Sequence, residues 1–171
     1  LVYRALGGES LPAARVVTLL FFIGSLLYFH ATVRRLFGAA VARHAAAVYA
    51  LLPLGIPYSR MVHPDFCIIF FAHAYAFHAL DFLERRRASA YVLATLAATA
   101  AFLMKAPYVF YFAMPLAVYA WLRPGRRIVA DTLGLGSIFI VPFLAAMWFN
   151  GYRILMEAAH EESILYPMKW T

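Results

Sequence analysis

The sequence predicts an all-α protein, a bundle of about six helices that cross a lipid membrane. Hydrophobic residues make up 65% of the 171 residues and charged residues only 13%, whereas soluble domains are about 45–50% apolar and about 25% charged. The apolar residues form six long stretches, and the arginines fall in short runs between them. Because a water-soluble core of this size cannot hide so much apolar surface, we expect lipid to cover the rest.

Most of the six stretches match the length of a membrane-spanning helix, about 20 residues with a range of about 17–25. The predicted spans are Pro12–Val33, Ala39–Tyr58, Asp65–Leu83, Ser89–Met104, Pro107–Leu122 and Ile128–Phe149. The fourth and fifth are short and meet at Lys105-Ala106-Pro107, which fits a tight helical hairpin or one long bent helix. We favour the hairpin, because one helix over both stretches would be too long for a single span.

The last of these spans and the tail behind it have further sequence signals. Gly134, Gly136 and Pro142 predict that the sixth helix is bent or packs closely on a neighbour. Residues 1–149 therefore form the predicted membrane core, and residues 150–171 a loop or surface helix on the outer face.

The basic residues predict which helix ends face the cytoplasm. One set of alternate loops holds nine of the 15, in short segments: Arg34, Arg35, Arg43, Arg85, Arg86, Arg87, Arg123, Arg126 and Arg127. The other set and the chain ends hold six: Arg4, Arg15, Arg60, Lys105, Arg153 and Lys169. Since short cytoplasmic loops are rich in Arg and Lys, the nine mark the cytoplasmic side. The outer side then holds most acidic residues, and function is expected there.

Charge and cysteine content exclude several classes of protein. The net charge of +7 would suggest a nucleic-acid partner in a soluble protein, but here the positive-inside pattern accounts for it and no nucleic-acid partner is expected. The single cysteine excludes an internal disulfide. The chain starts at Leu1 without a methionine and ends in an aromatic stretch, so we expect a fragment of a longer protein.

Two outward segments contain the residues best suited to chemistry. In the loop Tyr58–Asp65, Asp65 fits either a helix N-terminal cap or a functional carboxylate, and Arg60 fits either snorkelling to headgroups or anion binding. Lys105 stands alone among apolar residues at membrane depth. An ammonium there is costly without an anion, so snorkelling and binding of a lipid-linked phosphate both remain possible.

Histidines provide weaker candidates. His73 and His78 are five residues apart, which places them on different helix faces and excludes a same-face metal pair. His78 and Asp81 are one turn apart and are expected to pair near the cytoplasmic boundary. In the tail, His160 stands beside Glu161 and Glu162, so a divalent metal site and a solvated helix face are both compatible with the sequence.

In order, these segments resemble the GT-C glycosyltransferases, in the branch that contains protein mannosyltransferases and the lipid A aminoarabinose transferase. The resemblance rests on four strings: Pro12-Ala13-Ala14-Arg15, Arg34-Arg35-Leu36-Phe37-Gly38, Tyr58-Ser59-Arg60-Met61 with Pro64-Asp65, and Phe102-Leu103-Met104-Lys105-Ala106-Pro107. Their order, spacing and sidedness match, although Met104 and Ala106 stand where the family often has threonine and glycine.

The resemblance implies a membrane enzyme that moves a sugar from a polyprenyl-phosphate donor to a lipid, glycan or protein acceptor. Lys105 and Arg60 would then contact the donor phosphate, with Arg15 and Tyr58 beside them, and Asp65 would support the site. The family's catalytic carboxylate is expected upstream of Leu1, so this fragment alone is expected to be inactive. The basic loops and the alanine- and arginine-rich composition fit a bacterial inner membrane, in which the expected site would face the periplasm.

Two other function classes remain open from the sequence. A transporter or flippase for a lipid-linked or anionic substrate would show matching broken helices with polar residues at the membrane midplane. A structural membrane subunit would need no polar site. An acidic pair after an additional upstream span would favour the enzyme over both.

Overall fold

The computed structural model describes residues 11–51, 65–105, 107–123, 125 and 127–165, with side chains in the ranges 12–51, 65–104, 109–123, 125 and 127–152. All regular structure in these residues is α-helical. The helices are α1 (Leu11–Phe37), α2 (Ala39–Leu51), α3 (Asp65–Arg85), α4 (Ala88–Lys105), α5 (Pro107–Leu122) and α6 (Ile128–Leu165). The predicted all-α fold with six helices is therefore confirmed.

Three stretches of the described residues are long and apolar enough to cross a membrane: Pro12–Phe37, Asp65–Arg85 and Ile128–Tyr152. The other three helices are apolar and shorter within the described residues. The expected remainder of α2, up to Tyr58, lies outside the described residues.

Two predicted helix ends need correction. Helix α1 continues past Val33 to Phe37 and stops where Gly38 takes a φ of +88°, a left-handed conformation that suits glycine. Helix α6 continues past Phe149 to Leu165, so the first part of the predicted outer-face segment is helical and continuous with the span. Its 38 residues measure about 57 Å at 1.5 Å per residue, far more than the roughly 30 Å of a hydrocarbon core.

Side-chain contacts show that the six helices alternate in direction. Phe21 contacts Phe70 and Arg35 binds Asp81, so α1 and α3 run parallel. The Phe82 ring on α3 contacts the Tyr91 ring on α4, so these two helices run antiparallel. The rings of Phe102 on α4 and Phe110 on α5 are eight residues apart in the sequence and contact each other. The chain therefore reverses direction between them, which confirms the hairpin at Lys105.

This alternation gives the bundle two distinct ends. We call the end where α1, α3 and α5 begin the Lys105 end. The opposite end holds the segments 34–43 and 85–87 and residues 123, 125 and 127, and it is called the arginine end.

Helix α3 lies at the centre and packs against α1, α4, α5 and α6. Alanines 94, 98 and 101 of α4 are fully buried, which allows the close backbone approach that membrane helices use. At Gly134 an added methyl group would lie 2.5 Å from the Phe82 ring. This confirms the predicted close packing at Gly134, whereas Gly136 faces open space.

The arginine end is expected to face the cytoplasm. After replacement of Cys67 by alanine, a cysteine at the exposed Arg87 should react with a membrane-impermeant maleimide only when the cytoplasmic side is accessible. A cysteine at the exposed Pro12 should react from the outside. Arg87 is preferred to Arg86 because Arg86 binds Asp131. Labelling of position 87 from the outside would show that the predicted topology is inverted.

Candidate functional site

Three predicted site residues come to the Lys105 end of the bundle. Asp65 is the first residue of α3 and is half-buried. Arg15 is exposed near the start of α1, which runs parallel to α3. Lys105 is the last residue of α4, which runs in the opposite direction. The fold therefore places two basic residues and a carboxylate at one end, away from the arginine-rich loops.

The remaining predicted site residues lie outside what the structure describes. Tyr58 and Arg60 belong to segment 52–64, and the side chain of Lys105 is also outside the described set. His160 is on α6, but its side chain is not described. Among the described residues, no cluster of three His, Cys, Asp or Glu side chains could hold a metal. A divalent metal at His160 stays a prediction.

The arginine end contains an ion-pair network that links α1, α3 and α5. The Arg35 guanidinium lies 2.8 Å from Asp81 Oδ1 and 2.7 Å from Glu84 Oε2. The hydroxyl of Tyr119 donates to Glu84 at 3.1 Å. Three helices are thus held together where their arginine-end termini meet.

His78 and Asp81, which were expected to pair, form no hydrogen bond or salt bridge with each other. The ring of His78 instead hydrogen-bonds to the Tyr28 hydroxyl at 3.2 Å, and Asp81 is bound to Arg35. The reason is that α1 supplies partners for both side chains, which spacing within α3 alone cannot show.

A second charged centre surrounds Asp131, whose side chain is only 4% exposed. Arg123 donates to both of its carboxylate oxygens, at 2.9 and 2.8 Å, and Arg86 also contacts it. The backbone N–H of Arg127 donates to Asp131 Oδ2 at 3.1 Å, which caps the start of α6. Burial, together with repulsion from Arg123 and Arg127, lowers the pKa of Arg86.

A polar cluster that the sequence does not predict lies between α1, α2 and α3. Ser25 Oγ lies 2.8 Å from the Tyr49 hydroxyl and 3.2 Å from His73 Nδ1. Helices α1, α2 and α3 each contribute one member. His73 is 8% exposed and its ring packs edge-on against Phe112 of α5 at 5.0 Å. Satisfied polar groups of this kind hold membrane helices together, so the cluster fixes the α1–α2–α3 arrangement.

An apolar cleft of about 490 Å³ opens between α5 and α6. Its lining includes Met114, Trp121, Leu135 and Phe139, and of the described lining residues only Asp131 is charged. Since Asp131 is already bound by arginines, the described lining residues of the cleft offer no unpaired charge.

Comparisons with known proteins give a family and no individual relative. Neither a curated protein nor a solved structure matches the chain. The family model of the dolichyl-phosphate-mannose-protein mannosyltransferases matches residues 2–149, which include five complete helices and most of the membrane span of α6. Such a family implies a membrane glycosyltransferase that uses a lipid-linked sugar. Because the match covers most of the 171 residues, this chain belongs to the dolichyl-phosphate-mannose-protein mannosyltransferase family.

Proposed function

We propose that the complete protein transfers a sugar from a polyprenyl-phosphate donor to a lipid, glycan or protein acceptor at the Lys105 end. The observation that carries this proposal is the family match over residues 2–149, which spans Arg15, Asp65 and Lys105. The fold supports it independently, because it gathers these three residues at one end of the bundle.

The proposed chemistry explains why cations belong at that end. Transfer breaks the bond between the anomeric carbon and the donor phosphate oxygen, and it forms a bond from that carbon to the acceptor. Negative charge then collects on the departing phosphate. Cations fixed near the phosphate stabilise this charge more strongly in a poorly hydrated site than in water. Lys105, Arg60 and Arg15 are proposed for this role, with Tyr58 as a hydrogen-bond donor.

The acceptor must lose a proton during transfer. A carboxylate is the natural base, and the family resemblance implies that the complete protein provides one. In this scheme Asp65 is a supporting residue that orients a basic side chain. The nine basic residues of the arginine end support an outward orientation of the Lys105 end. In a bacterial inner membrane that orientation would be periplasmic.

A transfer assay tests the proposal. Membrane vesicles containing the complete protein should release polyprenyl phosphate from a radiolabelled polyprenyl-phosphate sugar only when an acceptor extract is present, and the label should appear on the acceptor. Vesicles without the protein are the control. Movement of the intact donor across the membrane without cleavage would instead show a flippase.

Asp65 allows a sharp comparison between a helix cap and a functional carboxylate. If Asp65 orients a cation, both Asp65→Ser and Asp65→Ala should lose most transfer activity, and we expect this result. If it only caps α3, serine should preserve the cap, whereas alanine should cost about 0.5–2 kcal/mol of stability. Transfer rates and thermal stability of both variants in the complete protein distinguish the two roles. A fully active serine variant would leave Asp65 as a helix cap.

A further inference from the structure

A polar pocket of about 340 Å³ lies at the arginine end, between the last turns of α1 and α3. It is lined by His30, Ala31, Arg34, Arg35, Phe77, Asp81 and Arg85. The three arginines and one aspartate give a formal charge of +2 with His30 neutral. Glu84 lies beside the pocket and binds Arg35, so the pocket and its rim together have a charge of +1.

The three arginines differ in how far they are neutralised. The charge of Arg35 is neutralised, because its guanidinium forms salt bridges with the carboxylates of both Asp81 and Glu84. Arg85 reaches Asp81 only at 3.4 Å, and its side chain is 55% exposed. Arg34 is exposed and forms no ion pair with any described residue. Two guanidiniums therefore remain able to bind an anion at the pocket mouth.

The surface below the pocket is apolar. On the same face of α1 as Arg34, the side chains of Leu20, Ile23 and Leu27 are 62%, 44% and 64% exposed. These residues recur at spacings of three and four, so they form one stripe along the helix. The stripe runs from the middle of the membrane to the basic pocket, and Phe77 continues the apolar wall on α3.

The partial charges at the helix ends do not cancel the positive charge of the pocket. The C-termini of α1 and α3 each present about half a negative charge, but the N-termini of α2 and α4 lie at the same end and present about half a positive charge each. The arginines therefore set the sign of the field at the pocket.

We propose that this pocket binds the phosphate headgroup of an anionic phospholipid of the arginine-side leaflet. Arg34 and Arg85 would bind the phosphate, and the acyl chains would lie along the stripe of α1. Basic pockets between transmembrane helices on the cytoplasmic side suit such headgroups. A lipid fits better than a soluble phosphate because the apolar stripe leads directly to the pocket. This site lies at the opposite end of the bundle from Lys105 and is independent of the proposed sugar donor.

Native mass spectrometry of the chain in a neutral detergent provides the test. Titration with phosphatidylglycerol should show one lipid bound more tightly than the rest, with phosphatidylcholine bound more weakly. The double variant Arg34→Gln/Arg85→Gln should weaken this binding about 25-fold, since each arginine near an anionic surface contributes about fivefold. Arg34→Gln alone should weaken it about fivefold without disturbing any ion pair among the described residues.

The matched control is Arg43→Gln/Arg87→Gln, which removes two exposed arginines from the same end but outside the pocket. It should change the affinity by less than about twofold. Equal weakening by both double variants, or no preference for phosphatidylglycerol in the wild-type chain, would overturn the proposal. Displacement of the lipid by millimolar inorganic phosphate would overturn the lipid assignment in favour of a soluble phosphate ligand.

Discussion

Replacing Lys105 by alanine in the complete protein should reduce sugar transfer by about 10²–10³-fold, the usual loss when one preorganised group that stabilises developing charge is removed. Lys105 ends α4 at the end of the bundle that also holds Arg15 and Asp65. The sequence sets this lysine alone among apolar residues, and an ammonium beside the hydrocarbon core is costly unless it serves an anion. Expression and membrane insertion should stay near wild-type levels, because a terminal lysine contributes only about 0.3–1 kcal/mol to its helix.

Two further variants separate phosphate binding from a general effect of charge. Lys105→Arg should keep part of the activity, because the charge remains while the geometry of the donor group changes. Arg87→Ala removes an exposed charge from the arginine end and should leave transfer unchanged. The measurement is the initial rate with a labelled polyprenyl-phosphate sugar. Full activity of the alanine variant would assign Lys105 to snorkelling at the membrane surface.

Most of the fold could be predicted from the sequence because the bilayer imposes a length. Each crossing needs about 20 apolar residues, and the six apolar stretches, two of which are shorter, match the six helices of the described residues. Their alternation along the chain predicts that Arg15, Asp65 and Lys105 lie at one end of the bundle, and the helix directions agree. The end of α6 was harder to predict. The apolar stretch ends at Phe149, but Gly151–Leu165 has no strong signal that stops a helix, so the helix continues to Leu165.

The partners of polar side chains could not be predicted, for a physical reason. Helices in lipid are apolar on all faces, so periodicity does not reveal which face meets a neighbour. His73 was recognisable as an ionisable residue inside a span, but its bond to Ser25 joins residues 48 apart. The same limit applies to Asp131, whose partners Arg86 and Arg123 come from two other segments.

Asp131 should be the most important single side chain for the stability of the described bundle. Its carboxylate binds Arg123 through both oxygens, contacts Arg86 and accepts the N–H of Arg127. Arg123 in turn donates to the carbonyl of Leu83 at 2.7 Å. One buried carboxylate thus connects the end of α3, the end of α5 and the start of α6.

Asp131→Asn should therefore lower the free energy of unfolding by about 3 kcal/mol or more, because removing one member of a buried ion pair leaves the other uncompensated. Asparagine keeps the size of the side chain, so the loss reports the charge. The double variant Asp131→Asn/Arg123→Gln should be less destabilised than the sum of the two single variants, since it removes the stranded charge as well. The free energies of unfolding of the two single variants and the double variant are measured in mixed micelles with increasing dodecyl sulfate, with circular dichroism as the signal. A loss below about 1 kcal/mol with additive effects would mean that water or lipid headgroups already neutralise the arginines, and that the helix ends are held by packing around Gly134 and Phe82 instead.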